Sequence, residues 1–491
     1  MTKENANLEG AELSRRDFLT RSAAMSASVA ALMATGNYAW AAGSDTLKVG
    51  LIGCGGRGTG AAKDCVTSSP NVVIYAMGDL FQDRLEGSLK NLRGEGAGGK
   101  KKEAPAAQAT PAEKEKAAAA GAKKADKAKA GKKRAPAAPM GDKINVAPER
   151  CFTGFDAYKK VLDSGVDLVI LATPPHFRPL HLRAAIEAGK HVFMEKPVAV
   201  DPVGARSVIE SSELAANKGL AIVAGTQRRH TASYVEMMQR VHDGAIGDLL
   251  GGQCYWNQGF LWVKKHLPEW SDMEWQIRNW LYFTWLSGDH IVEQHVHNID
   301  VMNWAFGGPP VKCMGMGGRQ VRTGEECGNI FDHFAVEFEY ANGARVMSMC
   351  RQIDGCAHRN GERIVGAKGV ADSRVGITGA NPFKYEGPSV NGQVQEHADL
   401  IQSIREGKPL NEGKRIAESS LTAIMGRMSA YTGNEISWNW LLNESKLDLT
   451  PPKYELGPLP VAPVAVPGKT KLIEEEAPQK ETPKKQAPKK P

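Results

Sequence analysis

Residues 288–300, GDHIVEQHVHNID, place three histidines and three acidic side chains within thirteen positions. Two kinds of chemistry suit that composition. Imidazole and carboxylate groups are metal ligands, and Glu293 and His297 with one further ligand have the helical spacing of a metal site. An imidazole with its ordinary pKa of about 6.5 is equally a proton acceptor at working pH. On a continuous helix Glu293, His297 and Asp300 share one face, because side chains three and four apart stack. His295 then points elsewhere, and His290 and His295 read as structural neighbours. From spacing alone both chemistries stay open.

A second chemically meaningful group opens the first folded segment. TLKVGLIGCGGRGTGAAKDCV reads as an apolar strand, a glycine-rich turn and a helix, with Gly53, Gly55 and Gly58 at G-x-G-x-x-G spacing. The first glycine permits the tight turn, the second lets backbone approach a pyrophosphate, and the third lets helix and strand pack closely. The helix start, with Arg57 in it, offers free N–H groups and a positive dipole end to phosphates. A second strand, NVVIYAMGD, ends in Asp79, about twenty residues past Gly58, where an acid hydrogen-bonds an adenosine ribose. Asp79 favours NAD because its charge repels a 2′-phosphate, while Arg84 keeps NADP open.

The elements that must hold these groups continue in CFTGFDAYKKVLDSGVDLVILATPPHFRPLHLRAAIEAGKHVFMEKPVAV. It reads as a helix, the strand DLVILAT, a helix from about 179 to 188 and the strand HVFMEKP. Strands alternating with helices at this spacing form a parallel, doubly wound sheet, an α/β Rossmann fold. Ligands of such sheets lie beyond the C-terminal strand ends, where Thr173, Pro174 and His176, and then Glu195 and Lys196, are expected to meet the cofactor.

The glycine loop, ATPPHF…HLRAAIEAGKHVFMEKP and the later EQHVHNIDVMNW together resemble the glucose–fructose oxidoreductase, inositol dehydrogenase and MocA family over roughly residues 47–438. The resemblance implies a second α/β domain with a large, open, mostly antiparallel sheet, often used to build a homo-oligomer, here a dimer or tetramer. It also implies that His297 moves the proton and Lys196 hydrogen-bonds the reacting oxygen. This sequence departs from the family's usual pattern at Glu293, where Asp is usual, and at His295, where Gly is usual. The residues make chemical sense in those roles. Oxidising a secondary alcohol needs a base for the hydroxyl proton, and an ammonium beside the developing alkoxide lowers its energy, most strongly in a dry pocket. Glu293 is expected to orient the imidazole or relay the proton.

Six of the ten tryptophans fall between Trp256 and Trp285. Aromatic faces among Asn, Gln, Arg and Asp suit a sugar ring, which is apolar on one face and polar at its edge. At least half of these rings are expected in the core. Arg228 in GTQRRH, Trp285 and Asp300 are the candidate substrate contacts. FAVEFEYANGARVMSMC alternates and turns at Asn342-Gly343 as a hairpin, and EHADLIQSIREGKPL and RIAESSLTAIMGRMSAYTGN read as amphipathic packing helices.

The ends carry other signals. Residues 1–41 contain Arg15-Arg16 before a weakly apolar stretch and end at Ala39-Trp40-Ala41, resembling a twin-arginine export signal with periplasmic destination. The apolar run falls short of the about 20 residues a membrane span needs. Domains are expected at 46–228, interrupted by a disordered lysine- and alanine-rich insertion at about 91–147, and at 229–450, with a disordered tail at 466–491. The insertion carries net +8 and the tail +3 of the chain's +7, which leaves the remaining body mildly acidic at −4, so no nucleic-acid partner is expected of it; for the two basic segments the other reading is adhesive arms for anionic envelope polymers or nucleic acid. Eight cysteines without a C-x-x-C pair form neither a disulfide framework nor a zinc ribbon.

These readings converge on an exported NAD(P)-dependent oxidoreductase acting on a sugar, glycoside or cyclitol, with a tightly bound, recycled cofactor. Three alternatives share the same residues: a glycosidase working by transient oxidation and elimination, a metal-dependent sugar lyase or epimerase, and a non-catalytic sugar-binding protein.

Overall fold

The computed structural model describes residues 46–95 and 140–472. The twin-arginine motif, its cleavage site, the centre of the lysine-rich insertion and the end of the tail lie outside the described residues.

Six short apolar strands make the first sheet: β1 Leu47–Ile52, β2 Val72–Asp79, β3 Cys151–Thr153, β4 Leu168–Leu171, β5 His191–Met194 and β6 Ile222–Ala224. All pairs are parallel, in the order β3-β2-β1-β4-β5-β6. Helices cover both faces, so β4 is buried at every residue and reads as a continuous apolar run. The strand order reverses between β1 and β4, which opens a crevice at their C-terminal ends. One covering helix, Gly392–Arg405, returns from the far end of the chain and adds Leu400 and Ile401 to the core around β1.

The second sheet holds β7 Leu249–Gln258, β8 Lys312–Gly318, β9 His333–Glu339, β10 Arg345–Gln352, β11 Arg359–Gly366, β12 Gly369–Asp372, β13 Gly376–Gly379 and β14 Ile436–Ser437. Its order is β13-β12-β11-β7-β10-β9-β8-β14, and β7 with β10 is the one parallel pair. β9 and β10 form the hairpin, with Gly343 at φ +80° in its turn. Helices Val296–Phe306 and Gly413–Thr432 supply the core on one face. On the other, Met314 and Met316 are 50 % and 75 % exposed. No helix among the described residues is long and apolar enough to cross a membrane, and all eight cysteines are unpaired.

Three expected boundaries move. The insertion is narrower than 91–147, because helix Gln82–Arg93 runs into it and Ile144 and Val146 at its far side are buried in the Rossmann core. The second domain does not close at 450: the Leu459 N–H bonds Asp272 and the Leu459 carbonyl accepts from Gln276. Nor does the tail separate at 466, since Leu472 still packs on the core.

Candidate active site

Two adjoining cavities occupy the crevice. The larger, about 520 Å³, is lined by Gly53, Gly55, Arg57, Gly58, Asp79 and Arg84 of the Rossmann domain together with Thr173 and Pro174. The smaller, about 300 Å³, is lined by Glu195, Lys196, Glu293, Gln294 and His297, and shares Arg57, Thr173 and Trp280 with the first.

The glycines do three different jobs. Gly53 sits at φ +99°, where a side chain is strained, and a Cβ there would lie 2.5 Å from the backbone at Ala172. A Cβ on Gly58 would meet the Gly53 carbonyl oxygen at 1.9 Å. A Cβ on Gly55 meets nothing within 4 Å, so it would project into the open cradle at the start of helix Gly56–Ser68. That space, next to free helix N–H groups, fits a pyrophosphate. Asp79 ends β2 with Oδ2 accepting from Cys54 N–H (2.6 Å) and Oδ1 from Phe81 N–H (2.9 Å). The carboxylate thus braces the glycine loop. Burial raises its pKa against these two bonds, which lower it.

Arg57 joins the cavities. Its guanidinium donates to Glu195 (2.5 Å), Asp64 (3.0 Å) and Glu396 (3.4 Å). Glu396 comes from the returning helix, and burial first, then the neighbouring Glu195 charge, raises its carboxyl well above the usual range. Thr173 Oγ1 lies 3.3 Å from His181 Nδ1.

The segment around 288–300 is not one helix. Asp289 adopts φ +77°, accepts from His290 N–H and caps a single turn, His290–Glu293; a second helix, Val296–Phe306, follows. The break turns the three histidines apart. His290 bonds Gln352 (2.6 Å) and His295 bonds Ser348 (2.7 Å), both away from the cavities. His297 alone faces the smaller cavity, stacked on Trp256 at 5.6 Å. Among the described residues no three His, Cys, Asp or Glu side chains are grouped to hold a metal ion.

Lys196 follows β5, before a cis bond to Pro197, and its Nζ donates to the Glu293 carbonyl (2.6 Å) and carboxylate (3.3 Å). Glu293 also accepts from Gln294 Nε2 (2.5 Å). Burial first, then the charges of Lys196, Arg228 and Arg57, hold His297 well below the ordinary imidazole pKa. His297, whose charged form is thus disfavoured, borders the same cavity as the Lys196 amine, which Glu293 holds in place. Such an arrangement can deprotonate a hydroxyl and stabilise the resulting oxyanion.

Four expected site residues belong elsewhere. Asp300 is no neighbour of Glu293: its carboxylate takes Arg229 (2.9 and 3.0 Å), Arg415 (3.1 Å) and Ser419 (2.8 Å), and it lines neither cavity. Trp285 gives its indole N–H to Gln276 (2.8 Å) and packs edge-on against His176. His176 turns from the cofactor cavity to bond Tyr454 (2.8 Å), and burial lowers its pKa to about 4. Arg228 is held by Glu362 and by Asn360 (3.0 Å), behind Trp256 rather than in the cavity. Sequence reasoning missed Gln227, Gln294 and Gln393, which line the smaller cavity. Glutamine carries no spacing signature, so no local signal marks them.

Two models of one protein family match the chain. The oxidoreductase family model with an NAD-binding Rossmann fold matches residues 94–225, and the C-terminal domain model of the same GFO/IDH/MocA family matches residues 234–372. Together they span more than half of the chain. The chain belongs to the GFO/IDH/MocA family. Within that family it is similar to inositol 2-dehydrogenase 1 of Saccharopolyspora erythraea, 31 % identical over 135 residues, 28 % of this chain and 39 % of that one. The first curated relatives are matched over about half of their length or less. Among solved structures, the aldose–aldose oxidoreductase of Caulobacter crescentus complexed with glycerol aligns with TM-score 0.57 at 15 % identity, covering 80 % of this chain and 99 % of that one. GenD2 from gentamicin A biosynthesis, in complex with NAD, aligns with TM-score 0.55 at 16 % identity over 80 % and 97 %. At these identities the structures share the GFO/IDH/MocA fold, a Rossmann domain followed by a large mixed sheet.

Proposed function

We propose that this GFO/IDH/MocA protein is a nicotinamide-dependent oxidoreductase of a sugar, glycoside or cyclitol, with its chemistry between Lys196 and His297. The observation that carries the reading is the shared wall of the two cavities: the glycine cradle adjoins a pocket lined by Lys196, fixed on Glu293, and by His297. When bound, the nicotinamide supplies the two-electron acceptor or donor. Gly55 and the helix start at Gly56 hold the diphosphate, Asp79 faces the adenosine ribose and favours NAD, and Thr173, Pro174 and Glu195 border the inner end. His297 takes the hydroxyl proton onto its ring, Lys196 steadies the alkoxide, and Glu293 holds Lys196 in place. The curated relatives, inositol dehydrogenases among them, support a polyhydroxylated ring as substrate.

The Arg15-Arg16 segment supports export by the twin-arginine route, and the uncovered Met314 and Met316 face supports a homo-oligomer. Outside the cytoplasm a dissociating cofactor is hard to recycle, so we take it to be carried out bound and regenerated in the site. Glycoside cleavage through transient oxidation uses the same residues and differs in leaving no net redox change.

The test is identification of what co-purifies with the full-length protein, followed by product analysis with sugars, cyclitols and glycosides. Stoichiometric NAD or NADP and a keto product sustain the reading. A purified protein that carries no nucleotide and shows no affinity for NAD or NADP sinks it.

A further inference from the structure

The larger cavity is not built by the Rossmann domain alone. Trp262, Lys264, Arg278 and Trp280 line it from the second domain, opposite the glycine loop and Asp79. Residues 259–271 have no regular structure, yet their backbone is pinned. Phe260 N–H donates to Asp354 (2.8 Å), Lys264 N–H to Asn279 (2.8 Å), and the Trp275 indole to the Lys264 carbonyl (2.9 Å). On this fixed backbone Trp262 remains 47 % exposed, edge-on to Trp280 at 6.3 Å. Lys264 makes no ion pair among the described residues, although it faces a cavity beside Arg84 and Arg278.

Arg278 spans the two domains. It donates to both carboxylate oxygens of Asp83 (3.0 and 3.1 Å), and its guanidinium lies 3.8 Å from the centre of the Phe81 ring. Asp83 and Phe81 follow directly on Asp79, the acid placed at the ribose. Glu274 anchors Arg278 on its own helix at 2.8 Å. A bidentate, ring-stacked arginine is stiffer and more specific than an ordinary surface pair.

We propose that residues 260–280 form a roof over the bound dinucleotide, with Trp262, Lys264 and Trp280 touching it and Arg278–Asp83 acting as the latch between roof and Rossmann domain. The inference rests on the dinucleotide reading of the cavity. An aromatic face held out over the cavity offers a stacking surface, and an unpaired ammonium at its edge offers a partner for phosphate or ribose oxygens. A dinucleotide under such a roof leaves only when the latch parts, so the residues control dissociation more than association. That property would let an exported enzyme keep its cofactor.

The experiment follows prebound NADH, or NADPH if that is the form bound, by its fluorescence as excess unlabelled NAD or NADP displaces it from the full-length protein. Trp262→Ala is expected to speed release at least about tenfold, in line with loss of an aromatic contact. Asp83→Asn is expected to speed it about two- to fivefold, as for an exposed ion pair. Both side chains are substantially exposed, Asp83 at 61 %, so the variants keep the wild-type unfolding midpoint. Unchanged release from both Trp262→Ala and Asp83→Asn overturns the roof and leaves the dinucleotide reading standing. Failure of the wild-type protein to bind either nucleotide overturns both.

Discussion

Lys196 Nζ lies 2.6 Å from the main-chain carbonyl of Glu293, so a lysine at the end of a Rossmann strand is fixed by a helical turn of the second domain. Its second contact, the Glu293 carboxylate at 3.3 Å, is longer and shares its charge with Gln294. Lys196 is thus positioned chiefly by backbone, and the carboxylate trims its direction.

Lys196→Met is therefore expected to lower kcat by about 10²- to 10⁴-fold while NADH affinity stays within about twofold of wild type. Glu293→Gln leaves the carbonyl contact intact and should lose far less. Steady-state kinetics and fluorescence titration on the same preparations check this. An unchanged kcat in Lys196→Met would remove the lysine from the chemistry.

The glycines separate folding from binding. Gly58→Ala would bring a Cβ to 1.9 Å from the Gly53 oxygen, whereas Gly55→Ala adds a methyl to open space. Gly58→Ala is expected to lower the unfolding midpoint or prevent folding. Gly55→Ala should unfold like wild type yet bind the dinucleotide at least about tenfold more weakly, because the methyl occupies the phosphate's place. Calorimetry with and without NADH distinguishes the two, and normal affinity in Gly55→Ala counts against the cradle.

Asp300 is a structural hub, and Asp300→Asn tests that assignment. The change leaves Arg229 and Arg415 facing each other with their common anion removed. Breaking a buried pair on one side costs about 3–5 kcal/mol. Urea unfolding should show a loss of that order, with KM changed little in whatever protein folds. A substrate contact would give the opposite pattern, a raised KM at full stability.

Acid should destabilise the protein well above the carboxylate range. Burial lowers His181, His290 and His295 to about 3 and His176 to about 4, and holds His297 and His397 well below the ordinary imidazole value. These rings are neutral in the fold but protonate near pH 6.5 in the unfolded chain, at about the ordinary value. The unfolded state then binds more protons, so stability falls as pH drops from about 6.5 toward 3. His230 runs the other way. Burial lowers it, but Glu412 and Asp399 outweigh burial and raise it to about 10, so its contribution is complete below about pH 6.5 and fades as pH rises to 10. Urea midpoints between pH 7.5 and 5 read the acid limb; a flat profile would contradict it.

One of those rings can be removed cleanly. Among the described residues neither nitrogen of His397 has a hydrogen-bond partner, and the ring lies tilted against Phe193 at 3.9 Å. Replacing a buried unsatisfied polar ring by an apolar one of similar shape is neutral or stabilising. His397→Phe should hold or raise the unfolding midpoint at pH 7 and flatten the acid limb; destabilisation at pH 7 would show that the ring has a polar role.

Much of the fold was legible because its signals are local. The apolar runs of β1, β4 and β5, the glycine spacing and the Asn342-Gly343 turn each lie within a few residues. Lys196, Glu293 and His297 were legible as chemically apt residue types. The geometry of the histidine segment was not. Its spacing assumes a continuous helix, and the Asp289 conformation that breaks the helix is stabilised by Tyr431 and the Phe331 backbone, 142 and 42 residues away.

By itself, then, the sequence determined the strand–helix alternation, the glycine spacing and the residue types available for chemistry, since propensity, turn chemistry and functional-group identity belong to single residues and their near neighbours. Only the tertiary structure decided which of those residues share a cavity. Arg229, Arg415 and Ser419 claim Asp300 from 71, 115 and 119 residues away, and Lys196 meets Glu293 across 97. A charge is drawn to whichever partner the packed core brings within hydrogen-bonding distance, and that distance is set by the fold of the whole chain.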